Sequence, residues 1–165
     1  MFHLPVSARA VRFALAFVAA LAASACAKTD ADLSGAGGAA VPGSQQDFVV
    51  NVGDRVFFET DSSELTSTAQ ATLSKQAAWL TQYSRYSFTV EGHADERGTR
   101  EYNFALGARR SQAAHDFLVS KGIPASRMRT VSYGKERPVA TCDDISCWSQ
   151  NRRSVTVLSG GGAGS

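Results

Sequence analysis

The sequence predicts an α/β sandwich with its helices packed on one side of a sheet. Three observations carry that prediction. Two long segments, 68–82 and 99–121, place apolar residues at helical spacing. Shorter segments at 47–51, 55–58, 86–91, 128–132 and 154–158 are rich in β-branched and aromatic residues with alternating character. The two kinds of segment then alternate along the chain, the order expected when helices serve as crossovers over one sheet.

Before the first of these segments lie two appendages. Met1 to Arg12 carries two arginines, and Val11 to Ala25 is apolar apart from Arg12 and Ser24. A spanning helix needs about 20 apolar residues. This run is shorter and ends in small residues, the pattern of a signal peptide over 1–25. Cys26 follows Ala23-Ser24-Ala25 directly, a placement that resembles the lipobox of bacterial lipoproteins and implies a covalent lipid on Cys26. Several acyl chains would hold the chain on a membrane, since each buried CH₂ contributes about 0.8 kcal/mol. In resembling lipoproteins an Asp after the cysteine favours the inner membrane. Ala27 stands there instead, so the expectation is the outer membrane, facing the periplasm. Residues 26–46 are rich in Ala, Gly, Ser and Asp and cannot bury a core, so they read as a flexible linker. A linker of about 20 residues reaches roughly 25 Å.

The globular part is expected over 47–159, with a disordered Gly-rich tail at 160–165. Asp47–Asn51 and Arg55–Phe58 read as two strands about the Gly53-Asp54 turn. Thr66 or Ser67 should cap a helix from Thr68 to Gln82, with Leu73, Ala77 and Leu80 on its buried side and Trp79 in the core. Tyr86–Glu91 reads as a strand with Phe88 and Val90 inward. Thr99 should cap the second helix, which Gly122 and Pro124 end near Lys121. Phe104, Ala108, Ala114, Phe117 and Leu118 supply its apolar side. Met128–Ser132 and Ser154–Leu158 read as further strands, with an irregular stretch between Gly134 and Asn151.

Charge narrows the function classes. The chain has 17 Lys+Arg against 15 Asp+Glu, and Arg9 and Arg12 belong to the leader, so the remainder is balanced at 15 to 15. No basic patch is implied, and nucleic-acid binding has no compositional support.

The chemistry gathers in one stretch. Glu91-Gly-His-Ala-Asp-Glu-Arg-Gly98 is a charged turn at a strand end, and Asn103 to Arg110 opens the helix that follows. Such a junction presents side chains and helix-start N–H groups from a fixed scaffold. Asn103, Leu106 and Arg110 share one helix face. Asp95 in the turn and Arg110 on the helix could hold the ammonium and the carboxylate of one amino-acid-like ligand.

The run Val90-Glu-Gly-His-Ala-Asp-Glu-Arg-Gly-Thr-Arg-Glu-Tyr-Asn-Phe-Ala-Leu-Gly-Ala-Arg-Arg110 closely resembles the OmpA-like peptidoglycan-binding domain family. Val56–Leu65, Val131–Pro138 and Gln150–Val155 match further blocks in the same order, so the resemblance covers about Val52 to Leu158. It implies a βαβαβ domain with a mixed sheet and two main helices. It also implies noncovalent binding of the peptidoglycan stem peptide, chiefly meso-diaminopimelate. By position, Asp95 would take its ammonium and Arg110 its carboxylate, Asp61 would add a contact, and Asn103 and Leu106 belong to the same motif. Leu106 would give a main-chain or apolar contact, and Asn103 either a contact or a brace for the turn. The family further implies TolB and the other Tol proteins as partners, in a system serving envelope integrity and cell division. Ala94 stands where Thr is common and Glu59 where Asp is common.

Other readings of these residues stay open on sequence grounds. Asp95 and Arg110 could pair with each other, or Asp95 with the N–H groups of its own loop. His93 is expected as a hydrogen-bonded strand-end residue. It has no second His or Cys nearby, so no metal or cofactor is expected. Arg109 reads as a solvated neighbour, and Arg152 and Arg153 as partner contacts or a solvated face. Cys142 and Cys147 sit in one loop of an exported chain, where a disulfide is the simplest account. No nucleophile–base pair can be placed, so the chain is expected not to be an enzyme. The rival function, a periplasmic peptidoglycan hydrolase, would draw on His93, Asp95 or Glu96. A cell-wall anchor of an integral system would need a transmembrane helix that the leader does not supply.

Overall fold

The computed structural model describes residues 40–160. The expected signal peptide, the lipidation at Cys26, the linker up to residue 39 and the tail from 161 lie outside the described residues.

The first element corrects the sequence reading. Asp47–Asn51 was expected as a strand because Phe48-Val-Val50 looks like one. Instead Gln45–Asp47 forms a helical turn, α1, that runs on as a π-helical turn over Phe48–Val52. The Asp47 carboxylate decides this. It accepts bonds from the Gly43 amide, Asn51 Nδ2 and the Trp79 indole, each at 2.8 Å, which together curl the segment onto the domain. The same contacts carry the packed chain back ahead of Asp47. The Gly43 carbonyl accepts from the Tyr86 hydroxyl at 2.8 Å and from Arg85 at 2.6 Å.

Strand β1 covers Arg55–Phe57, helix α2 Ser67–Gln82 and strand β2 Ser87–His93. Helix α3 covers Arg100–Ser120, strand β3 Met128–Gly134, helix α4 Ile145–Asn151 and strand β4 Arg153–Ser159. The expected caps are in place. The hydroxyls of Thr66 and Thr99 accept the amides of Ala69 and Tyr102 at 3.2 Å, satisfying donors that a helix start leaves orphaned. Gly122, at φ +91°, ends α3 in a conformation that disfavours any side chain.

The sheet is mixed, in the order β1-β4-β2-β3, with β2 parallel to β3 and β4 antiparallel to both neighbours. The parallel pair is joined through α3, as a crossover requires. Phe88 and Val90 are buried on the helix side, with Leu73, Leu80, Ala114, Leu118 and Ile123 in the same core. Each of these side chains larger than Ala114 contributes about 1.5–3 kcal/mol by leaving water.

Two further readings need correction. The stretch before Asn151 is not wholly irregular, because Asp144 Oδ1 accepts the Ser146 amide at 2.7 Å and starts α4. Cys142 and Cys147 are joined in a disulfide at its start. The buried stripe of α3 is also rotated from the apolar one. Phe104 and Ala108 are exposed, and Asn103, Leu106, Gly107, Arg110 and Ser111 are buried with Ala114 and Leu118. That stripe is half polar, so apolar periodicity alone misplaces the helix phase.

Candidate functional site

β2 ends at His93, and the turn Ala94–Thr99 carries the chain into α3. Gly98 adopts φ +87°, which lets the turn close tightly. The turn is braced on several sides. The Ala94 amide donates to the Gly134 carbonyl at 2.8 Å. Asn103 Nδ2 donates to the Arg97 carbonyl at 2.7 Å. Lys135 Nζ donates to the carbonyls of Glu96 and Gly98 at 3.1 and 2.7 Å.

Asp95 sits in this frame, nearly buried. Oδ1 accepts the Arg97 amide and Nε, both at 3.2 Å, and Oδ2 accepts Arg97 Nη2 at 2.6 Å and Arg152 Nη1 at 3.4 Å. Burial opposes its ionisation, but the bonds from Arg97 and Arg152 outweigh it and hold the carboxyl below the usual carboxylate range. Arg97 lies with its guanidinium 4.2 Å from the Trp148 ring centre, and the Trp148 indole donates to Glu96 Oε1 at 2.8 Å. Helix α4 thus supplies a wall for the turn.

Arg110 is fully buried below the turn. Nε donates to the Ser62 carbonyl at 2.8 Å, Nη1 to the His93 carbonyl at 2.9 Å and Nη2 to the Glu59 carbonyl at 3.0 Å. Burial and Arg152 lower its pKa to about 10, against the pull of Asp95 and Asp61, so it remains a cation near neutrality. A guanidinium carries five N–H groups, and three are engaged here. It ties the loop after β1 to the end of β2.

That loop carries Asp61, at φ +55°, a left-handed conformation that Asp tolerates better than most residues. The Tyr102 hydroxyl donates to Asp61 Oδ1 at 3.4 Å. Thr60, Asp61, Asp95, Arg97, Gly98 and Tyr102 line a cleft of about 230 Å³. Two carboxylates therefore face one small space, with Arg97 at its rim and Arg110 and Arg152 behind.

Of the five residues expected at the site, Asp61 and Asp95 line the cleft. Asn103, Leu106 and Arg110 share one helix face as expected, but all three are buried behind it, so the Leu106 side chain has no surface to offer. Asp95 and Arg110 are not an ion pair; Asp95 bonds Arg97 and Arg152 instead. Sequence reasoning missed Arg97, Tyr102 and Trp148. Arg97 lay inside the singled-out turn, and its spacing of two from Asp95 was the available signal.

The reading of Arg152 and Arg153 as a solvated face fails, since both are buried; Arg152 Nε also donates to the Phe58 carbonyl at 3.0 Å. His93 is not the hydrogen-bonded residue expected. Its carbonyl accepts Arg110, but the buried ring has no partner on either nitrogen. The ring lies 5.6 Å from Tyr133, with Nε2 3.5 Å from Glu91. It does not line the cleft. Among the described residues, no three His, Cys, Asp or Glu side chains converge to hold a metal ion.

Comparison with known proteins fits this frame. Residues 57–152 match the OmpA family model. The peptidoglycan-associated lipoprotein of Mesorhizobium japonicum is 65% identical over 156 residues, covering 90% of this chain and 92% of that one. The lipoprotein of the same name from Pseudomonas aeruginosa is 47% identical over 120 residues, covering 72% of this chain and 71% of that one. Among solved structures, the peptidoglycan-associated lipoprotein of Burkholderia pseudomallei superposes with a TM-score of 0.62 at 39% identity, covering 64% of this chain and 90% of that one. The C-terminal domain of Helicobacter pylori MotB superposes at 0.60 with 21% identity, covering 64% of this chain and 84% of that one, a likeness of fold alone.

Proposed function

The chain belongs to the OmpA family, and from that premise we propose that it anchors the outer membrane to peptidoglycan by noncovalent binding of the diaminopimelate stem peptide. The observation that carries the reading is the cleft in which Asp61 and Asp95 face one another beside Arg97. An ammonium group entering there meets two carboxylates in a partly desolvated space, where ion pairing is stronger than in water. Arg110 is fully buried behind this cleft, so in this reading it meets the ligand carboxylate only when the loop after β1 moves aside. Asn103 holds the turn in shape, and Leu106 fixes the helix that carries Arg110.

The name shared by the relatives, peptidoglycan-associated lipoprotein, supports the wall as ligand and a lipid as anchor. In this reading Cys26 carries the lipid, the leader is removed, and the domain works in the periplasm. The partners are TolB and the other Tol proteins of the Tol–Pal system, which serves envelope integrity and cell division. The domain binds and does no covalent chemistry. Modest affinity at each site is offset by many copies on one polymeric wall.

The test is sedimentation with protein-free sacculi, wild type beside Asp95→Asn and Asp61→Asn, with and without free meso-diaminopimelyl stem peptide. Wild type should pellet and be released by the peptide, and both variants should stay largely in solution while still folded by circular dichroism. Wild type remaining in the supernatant would overturn the reading.

A further inference from the structure

The free edge of β1 carries chemistry that wall binding does not use. β1 is the outer strand beside β4. The Thr156 amide donates to the Asp54 carbonyl at 2.7 Å, and the Phe58 amide to the Arg152 carbonyl at 2.9 Å, with Val56 opposite Ser154 between them. In an antiparallel ladder, residues bonded to one neighbour alternate with residues whose N–H and C=O point the other way. Asp54, Val56 and Phe58 therefore serve β4, and Arg55 and Phe57 turn their backbone groups outward. They open on a cleft of about 680 Å³ flanked by the small side chains of Thr66, Thr68 and Thr72. Phe57, at 47% exposure, stands beside it.

Unpaired edges invite pairing with another chain, and proteins blunt them with charge, proline or bulges. This edge has neither proline nor a bulge at Arg55–Phe57. Its one cation, Arg55, is matched by Asp54, whose carboxylate accepts Nε and Nη2 at 2.8 Å.

We propose that this edge is an interface with a second copy of the chain, the two β1 strands pairing antiparallel about a two-fold axis through Phe57. The positions are self-complementary on that axis. Phe57 opposes Phe57 of the second copy, and the two exchange N–H and C=O bonds. Arg55 opposes Glu59 of the second copy, and Glu59 opposes Arg55 of the second copy. Each sets an acid just beyond the end of one β1 against the cation of the other, an opposite-charge pairing of the kind that stabilises neighbouring strands. The ladder ends there, because the Glu59 carbonyl already accepts Arg110 Nη2 and the Ser62 amide. Such an interface is closed and isologous, giving a dimer rather than a fibre. The inference does not rest on the wall reading. If both hold, one dimer presents two wall sites.

The test uses the full chain in cells, with Phe57→Cys as a crosslinking probe and Val139→Cys as control. Val139 is 53% exposed and lies outside β1. Mild oxidation of the Phe57→Cys chain should give a disulfide-linked homodimer at several times the control yield. Adding Arg55→Glu to the Phe57→Cys chain should abolish the excess, and adding Arg55→Glu with Glu59→Arg should restore it. A homodimer yield from Phe57→Cys no higher than the control overturns the proposal. So does failure of the charge swap to rescue, or crosslinking to a different protein in place of a second copy. Sacculus binding by the same variants is read separately, so failure of one reading leaves the other standing.

Discussion

Gly92 and Gly107 meet backbone to backbone where β2 passes under α3. A Cβ on Gly92 would collide with the Gly107 carbonyl, and one on Gly107 would come to 2.9 Å from the Gly92 carbonyl oxygen while colliding with Ser132 Oγ. This contact sets the depth of α3 on the sheet, and hence the seat of Arg110 one turn on. Gly92→Ala should destabilise by about 2–3 kcal/mol or more, as overpacked backbone contacts do. Urea denaturation measures it, and a loss under about 1 kcal/mol would show that the helix can lift without consequence.

Arg110→Lys should also cost stability, because an ammonium cannot reach three carbonyls set around a planar fork. The expected loss is about 2–4 kcal/mol, with carbonyls of Glu59, Ser62 or His93 left unpaired. Hydrogen exchange should rise in residues 59–62 before the rest of the domain. Uniform loosening, with that loop no worse than elsewhere, would count against the tie.

Acidification should weaken the fold in two windows. Burial, then Arg153, Arg137 and Arg55, push the His93 pKa down to about 4 from 6.5. Its folded form thus resists a proton that the unfolded chain accepts. Stability is unaffected by His93 above pH 6.5 and falls as pH drops from there towards 4, by about 1–3 kcal/mol. His93→Gln should flatten that slope. Asp95 acts lower: its depressed pKa contributes stability above the usual carboxylate range that is lost as pH falls through it. A slope between pH 6.5 and 4 that His93→Gln leaves unchanged would assign the loss to other groups.

Removing the Cys142–Cys147 bridge by a double Ser substitution should cost about 2 kcal/mol on the chain-entropy account of a short loop. The effect should reach the cleft, since Trp148 of α4 lies against Arg97. If the cleft is the wall site proposed above, stem-peptide affinity should drop by a few-fold while the far ends of β2 and β3 keep their exchange protection. An unchanged melting temperature would make the bridge structurally idle.

Much of the fold was legible because its signals are local. Thr66, Thr99 and Gly122 mark helix ends by chemistry confined to one turn, and the alternation of Phe88 and Val90 needs no partner to be seen. The failures are contacts between distant residues. Phe48-Val-Val50 has strand character, but the bond from Trp79 to Asp47, 32 positions apart, overrides it. Helix α4 is seven residues long, too short for a period to register. At the site, Asp95 was legible from its own turn, and Asp61 only through the family resemblance. The inward burial of Arg110 was not, because it depends on carbonyls 17, 48 and 51 positions away. Arg152 looked like surface for the same reason: its acid partner, Asp95, lies 57 positions earlier.

The knot of bonds at Gly43 and Asp47 has a mechanical meaning. Any pull arriving along the N-terminal side of the domain reaches this point before it reaches β1. There the load divides among the Tyr86 hydroxyl, the Arg85 guanidinium, the Trp79 indole and the Asn51 amide. Three of these four stand on or just after α2, so tension is passed sideways into the packed core and is not spent unzipping an edge strand bond by bond. A tug from that side should be resisted in shear, with β1 and the loop of Asp61 left undisturbed until the knot gives way.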